Sequence, residues 1–159
     1  GTADYFQYDV LNKNNNSIKE VLSGWSPTHL YFFATPFIFS GIKGIFSDRI
    51  HKKFCKYYVS GFNNIIDILL SHGLKRVFYP STIAIDEKPP DMEEYVSAKL
   101  SGEMLCQNFE KKYDMIKIYK PRLPRMETDQ TVSLFSVVNS DPLPIQLEHL
   151  RIFRDRYEV

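Results

Sequence analysis

A glycine-rich loop, a cysteine framework and a long apolar run are all missing from this 159-residue chain. The two cysteines, Cys55 and Cys106, form no Cys-x-x-Cys motif and have no neighbouring histidine pair. That excludes a disulfide scaffold or a zinc site and leaves buried, reduced thiols as the expectation. His29, His51, His72 and His149 make no ligand-spaced cluster, so no metal is expected. A net charge of +1 gives no electrostatic reason to expect nucleic acid or an anionic membrane as partner. Leu30 to Phe46 is interrupted by Pro36, Gly41, Lys43 and Gly44, which rules it out as a membrane span. No signal-peptide pattern is present, so a soluble, cytoplasmic setting is expected. None of the seven glycines falls in a Gly-x-x-Gly-x-x-Gly pattern; Gly41-Ile-Lys-Gly44 has the first interval only.

What is present is a globular composition, 43% hydrophobic and 25% charged, which is enough to bury one modest core. Asp4 to Val10 reads as a short strand ending in an acid. Ser17 could cap a short helix through Leu22. His29 to Phe33 is a continuous apolar run of the kind a buried parallel strand shows, ending at Ala34-Thr35-Pro36. A long helix fits Asp48 to Ser71, with Gly73 as its stop. Arg76 to Ser81 reads as a second strand, and Asp86 to Pro90 as a loop. Asp91 could cap a helix that runs to Lys112. Met115 to Tyr119 is another strand, followed by Pro121-Arg-Leu-Pro124. Val132 to Val138 is an apolar run and Ile145 to Arg154 a helix. Strands alternating with helices predict an α/β fold with a parallel sheet. Ligands of such sheets bind beyond the carboxyl ends of the strands.

Those carboxyl ends carry Asp9-Val10, Ala34-Thr35-Pro36, Ser81-Thr82 and Pro121. On the helix after Thr82, Tyr95 and Lys99 stand four residues apart and share one face. A phenol beside an ammonium is a usable acid/base pair, because positive charge favours phenolate. Thr82 precedes Tyr95 by 13 residues.

A strand ending in Ser/Thr and then Tyr-x-x-x-Lys about thirteen residues on resembles the short-chain dehydrogenase/reductase superfamily, including its NAD-dependent epimerase/dehydratase branch. The resemblance covers Tyr5 to Thr128. It implies a Rossmann-type parallel sheet with flanking helices and NAD or NADP as cofactor. It implies Thr82, Tyr95 and Lys99 as the catalytic set: Thr82 bonds the substrate oxygen, Tyr95 is the general acid/base, and Lys99 binds the nicotinamide ribose and lowers the tyrosine pKa. Ser81 is expected to support Thr82. Asp9 and Val10 look like the pair that contacts adenine. Ala34 and Thr35 look like the turn beside the ribose, and Pro121 to Thr128 like the segment over the nicotinamide. Relatives also pair two helices across a two-fold axis. Val96, Leu100, Met104 and Phe109 could supply that dimer face, or could pack the sheet instead.

Two departures from the pattern stand out. Many relatives carry Val-Asn-x-x-Gly-x-x-Asn in the helix before the Thr82 strand; here Tyr57-Tyr58-Val-Ser-Gly61-Phe-Asn-Asn64 keeps the glycine and the final Asn but has Tyr58 at the first Asn position. The glycine-rich loop after the first strand has no counterpart. The strands it joins would lie between Tyr5–Tyr8 and Leu30–Phe33. Residues 1–159 are therefore expected to form a single domain, the C-terminal portion of an NAD(P)-dependent reductase domain lacking its N-terminal glycine-rich βαβ unit. Part of a larger biosynthetic polypeptide is the expected context, consistent with a start at Gly1 rather than Met. The expected function is carbonyl reduction or alcohol oxidation on a small molecule. The alternatives are a nucleotide-sugar epimerase or dehydratase, or a non-catalytic Rossmann-like module of a multidomain synthase. The isolated chain is expected to be inactive, and the Leu30 to Phe33 edge to be covered by another segment or chain.

Overall fold

The computed structural model describes residues 4–12, 16–38, 41–125 and 142–157. In chain order the elements are α1 (Asn16–Leu22), β1 (His29–Tyr31), α2 (Asp48–Cys55), a π-helical turn (Lys56–Gly61), α3 (Phe62–Leu70), β2 (Arg76–Phe78), β3 (Ser81–Thr82), α4 (Ala84–Glu87), α5 (Glu93–Lys112), β4 (Lys117–Tyr119), β5 (Arg122–Leu123) and α6 (Pro142–Tyr157). β1, β2 and β4 form a parallel sheet in that order, with Leu30 opposite Val77 and Val77 opposite Ile118. β3 and β5 pair in parallel just beyond it. The two ladders are one sheet interrupted at Pro80 and Pro121, which lack an N–H. The bonds run on across the break: Tyr79 N–H donates to Tyr119 O at 2.8 Å and Ser81 N–H to Pro121 O at 2.8 Å. The strand read as Arg76 to Ser81 is thus two short pieces.

Strand alternation sorts the side chains to two faces. Leu30, Phe32, Val77, Tyr79 and Ile118 meet Phe62, Ile65, Ile66 and Leu69 of α3 and Cys106 and Phe109 of α5 in the main core. On the other face, Phe153 of α6 sits edge-on to Tyr31 and Phe78, 5.3 and 5.7 Å between centroids, and alongside Tyr119. Helices therefore cover both faces, as a parallel sheet requires. Each fully buried aromatic or aliphatic side chain of this kind contributes roughly 1.5–3 kcal/mol.

The helix predicted from Asp48 is capped by Ser47, whose hydroxyl accepts from Ile50 N–H. It continues through the π-helical turn into α3 and stops before Gly73, whose φ of +97° suits glycine. Several expectations are corrected. Asp4 to Val10 is not a strand; it ends in a turn in which Asp9 accepts from Leu11 N–H and its carbonyl from Asn12 N–H. Asp91 does not cap α5; Met92 precedes the helix and no side chain caps it, while the Asp91 carbonyl accepts from Gly41 N–H. The Asp86 to Pro90 loop begins as the last turn of α4 and leaves it through Lys88 in the left-handed region. Gly41 to Gly44 is no phosphate loop but a tight turn, with Gly44 at φ +74° and a bridge between Ile42 and Ile45. Among the described residues no strand pairs with the outer edge of β1, so the expected cover is not seen there. Val132 to Val138 and Thr128 lie outside the described residues.

Candidate active site

Helix α2, the π-helical turn after it, α4 and α5 converge on one polar and aromatic cluster beyond the carboxyl ends of β1 and β2. Its base is a second small core of Phe54, Tyr58, Ala84, Tyr95 and Ala98, with Ile38, Met92 and Val96 packed against it. Tyr95 lies edge-on to Phe54 at 5.6 Å and to Tyr58 at 5.8 Å. This packing fixes its ring, and only 8% of the residue is exposed. The Thr82 hydroxyl lies close enough to the Tyr95 phenol to favour its ionised form. Thr82 is itself held at the strand end, its Oγ1 accepting from Ala84 N–H at 3.2 Å. Thr82 and Tyr95 are thus brought together.

Lys99 lies one turn further along α5, 7% exposed. Its Nζ donates to Pro80 O at 2.8 Å and sits 4.0 Å from the centre of the Tyr58 ring and 5.3 Å from that of Tyr79. Burial pushes the Lys99 ammonium down to about 7, against the pull of Cys106 and Glu103. Burial holds the Tyr95 phenol above its ordinary value, with the Thr82 hydrogen bond acting the other way. The sequence expectation was a tyrosine lowered by Lys99. Here desolvation wins, because the phenol is enclosed by rings and the ammonium faces Pro80 and Tyr58.

The remaining predicted positions divide. Thr35, at the end of β1, is bonded to the Tyr58 phenol at 2.6 Å and so joins the cluster. Ala34 packs against the main core. Pro121 is buried beside β3, its carbonyl accepting from Ser81. Val10 packs on the helix instead: its carbonyl accepts from Asn64 Nδ2, and a Cβ on Gly61 would come within 3.0 Å of its Cγ2. Asp9 is exposed and committed to its own turn.

Sequence reasoning missed a buried ionic knot below Lys99. Glu103, 6% exposed, accepts from Ser81 Oγ at 2.5 Å and from Arg122 at 2.9 and 2.7 Å. Arg122 also pairs with Asp86. Burial alone would raise the Glu103 carboxyl, but the bonds from Arg122 and Ser81 and the charges of Arg122 and Lys120 outweigh it and hold it below the usual range. The signal was available in the spacing: Tyr95, Lys99 and Glu103 repeat every four residues on one face of α5. Gly102 and Tyr79 were missed as well. The Tyr79 hydroxyl crosses α5 at Gly102 to reach Tyr58 O at 3.2 Å.

Of the proposed dimer stripe, Phe109 is buried in the main core and Val96 packs against the Tyr58 cluster, whereas Leu100 and Met104 are exposed. Among the described residues there is no group of three metal-ligating side chains, and no helix is long and apolar enough to cross a membrane.

With a parallel sheet, helices on both faces and this cluster at the carboxyl edge, the fold is that of the short-chain dehydrogenases/reductases. An oxidoreductase of E. coli superposes with a TM-score of 0.79 at 12% identity, over 96% of this chain and 69% of that one. An alcohol dehydrogenase of Thermococcus sibiricus, complexed with 5-hydroxy-NADP, gives 0.72 at 14% identity, over 91% of this chain and 66% of that one. A 4-hydroxyisoleucine dehydrogenase complexed with NADH gives 0.63 at 15% identity, over 78% and 59%. The chain therefore spans about two thirds or less of these structures. No protein-family model matches the sequence, and no curated protein matches it.

Proposed function

We propose that residues 1–159 are the C-terminal portion of an NAD(P)-dependent oxidoreductase domain of the short-chain dehydrogenase type, reducing a carbonyl or oxidising an alcohol on a small molecule. The observation that carries this reading is the Thr82 hydroxyl close enough to the Tyr95 phenol to act on its ionisation, at the carboxyl edge of a parallel sheet, with the Lys99 residue one helical turn further along α5. Solved structures of the same fold are complexed with NADP-type and NADH cofactors.

The residues present fit the nicotinamide end of such a cofactor. Lys99 has a polar head with donors beyond the one given to Pro80, and Thr35 stands at the end of β1. Ala34 and Pro121 would line the same end, and Asp9 and Val10 the adenine end. When bound, the dinucleotide supplies or accepts a hydride. Tyr95 holds the proton that the carbonyl oxygen needs, and its burial keeps it protonated near neutral pH, ready to donate. Thr82 stabilises the developing oxyanion. Lys99, titrating near 7, carries charge beside the site and can pass a proton toward it.

The pyrophosphate end does not fit. That group is held by backbone amides of a glycine-rich loop and the helix behind it, and no such spacing occurs in these 159 residues. The isolated chain accordingly binds NAD(P)H weakly or not at all and lacks turnover. The glycine-rich unit would sit on the edge of β1 that no described strand pairs, supplied by a larger, cytoplasmic biosynthetic polypeptide. This same absence is what favours the second reading, a non-catalytic Rossmann-like module. An epimerase or dehydratase acting on a nucleotide sugar would use the same three residues. Calorimetric titration with NADPH and NADH tests the cofactor claim on the chain alone. Micromolar or tighter binding would reveal a pyrophosphate site elsewhere. Joined to a glycine-rich βαβ unit, the chain should bind the cofactor and turn over; binding without turnover on any carbonyl would leave the non-catalytic reading.

A further inference from the structure

We propose that Tyr58 is a positioning residue that replaces, with an aromatic ring, the asparagine found at this place in the pattern: its face seats the Lys99 ammonium and its hydroxyl orients Thr35. The roles of Lys99 and Thr35 themselves rest on the reductase reading above.

Three observations converge on Tyr58. It lies on the π-helical turn that interrupts an otherwise continuous helix from Asp48 to Leu70, a distortion often found at functional sites. Its ring is 1% exposed and lies 4.0 Å from Lys99 Nζ, inside the range of a cation–π contact. Its hydroxyl is 2.6 Å from Thr35 Oγ1. The direction of that last bond can be assigned. Thr35 Oγ1 donates its own proton to Pro36 O at 3.1 Å, so Tyr58 must donate to Thr35. Burial raises the Tyr58 phenol far above its ordinary value, so it remains a donor throughout the neutral range.

An asparagine could not do both jobs. Its amide has no π face, and it is too short to span from Lys99 to Thr35. The ring position is fixed from three sides. Phe54 stacks on it at 6.2 Å, Tyr95 abuts it edge-on, and the Tyr79 hydroxyl bonds its carbonyl. The other polar and titratable groups around Lys99 are Tyr79, Glu103 and Cys106. Of these, Glu103 is already engaged by Ser81 and Arg122. The Tyr58 face at 4.0 Å and the Pro80 carbonyl, with the Tyr79 face further off at 5.3 Å, are the contacts that locate the amine.

The test replaces Tyr58 by Phe and then by a graded series of fluorinated phenylalanines, which keep the ring shape and progressively strip its π face. Lys99 is followed in the 159-residue chain by its 13Cε resonance as pH is varied. Tyr58→Phe should titrate like the parent, near 7. The fluorinated series should fall stepwise, by about 0.4 to 1.5 pH units in all, since the ammonium loses the contact that favours it. Thr35 should begin to average between rotamers in Tyr58→Phe, which lacks the donor. A flat Lys99 midpoint across the series would overturn the seating role, and an unchanged Thr35 rotamer would overturn the orienting role. These readouts need no cofactor. Failure of the reductase reading would show as absent turnover in the completed domain and would leave the Lys99 titration as it is.

Discussion

Gly102→Ala should destabilise the protein, although alanine is the better helix former. Gly102 lies inside α5, where replacing glycine by alanine normally gains about 1 kcal/mol. Here a Cβ would stand 1.9 Å from the Tyr79 hydroxyl oxygen, 2.7 Å from Tyr79 Cζ and 3.1 Å from Tyr58 O. Tyr79 is fully buried between Phe32, at 6.2 Å, and Phe62, at 4.6 Å, so its ring has no free direction of retreat. Overpacking of this kind costs roughly 1–3 kcal/mol. Displacing the hydroxyl also breaks its bond to Tyr58 O, for about another 0.5–1.5 kcal/mol. Set against the helix gain, the net loss is roughly 0.5–3.5 kcal/mol, or about 1–14 °C in Tm for a domain of this size. Urea denaturation followed by circular dichroism should show a lower midpoint at unchanged slope. Tyr79→Phe in the same background removes the closest overlap but leaves Cζ, so it should recover only part of the loss. A Gly102→Ala protein as stable as its parent would refute the predicted net loss, and one more stable by about 1 kcal/mol would show that the helix gain meets no packing cost at all.

The remaining predictions follow from the site. Tyr95→Phe in a domain completed with a glycine-rich unit should lower kcat by roughly 10²–10⁴ with cofactor affinity nearly unchanged; turnover equal to the parent would remove Tyr95 from the acid/base role. Lys99 has a folded-state pKa below its ordinary 10.5, so the unfolded chain binds more protons from about pH 7 upward and the parent gains stability there. The stability advantage of Lys99→Met over the parent should therefore be largest below pH 7 and shrink by about 2 kcal/mol between pH 7 and 9, measured by urea melts at each pH. Glu103 is shifted the other way: its contribution is present above its ordinary 4.5 and lost as pH falls through its lower folded value. Glu103→Gln should cost about 1–3 kcal/mol at pH 7, and its deficit should narrow in acid. If two copies pair through α5, replacing the exposed Leu100 and Met104 by Lys should convert a dimer to a monomer in light scattering.

The parallel sheet and its helices were legible in the sequence because apolar runs and helical spacing report burial directly. His29 to Tyr31, Arg76 to Phe78 and Lys117 to Tyr119 fall inside the runs read as strands, and the helix from Asp48 ends one residue before the expected point. The Asp4 to Val10 reading failed because alternation in a short polar-flanked segment cannot show whether a partner strand exists to pair with. The Asp91 cap failed because a capping residue is only as good as its register, and α5 starts two residues later. At the site, residue spacing along one helix and one strand end was enough to place Tyr95 near Thr82. The Thr35–Tyr58 bond and the Tyr79 crossing at Gly102 join residues that only the folded chain brings together. Lys99 illustrates a further gap. Proximity in sequence suggested that its charge would act on Tyr95, but burial dominates both groups, and burial is a property of the whole fold.

The ionic knot at Glu103 explains why the short strand ends hold their shape. β3 and β5 contribute two residues each, and neither could be stable alone. Ser81 of β3 and Arg122 of β5 both bond the same carboxylate on α5, so one side chain ties two strand ends to the helix that carries Tyr95 and Lys99. Thr82 follows Ser81 directly, so its hydroxyl inherits that restraint. The arrangement has a cost, since a carboxylate must be taken out of water. Full hydrogen bonding by Ser81 and a two-point contact from Arg122 offset it. An apolar residue at position 103 could fill the space, but it would leave the Ser81 hydroxyl without its partner and Arg122 with Asp86 alone, and free the Thr82 strand end to shift against Tyr95. The knot is therefore better understood as fixing the distance between the two hydroxyls than as a source of stability.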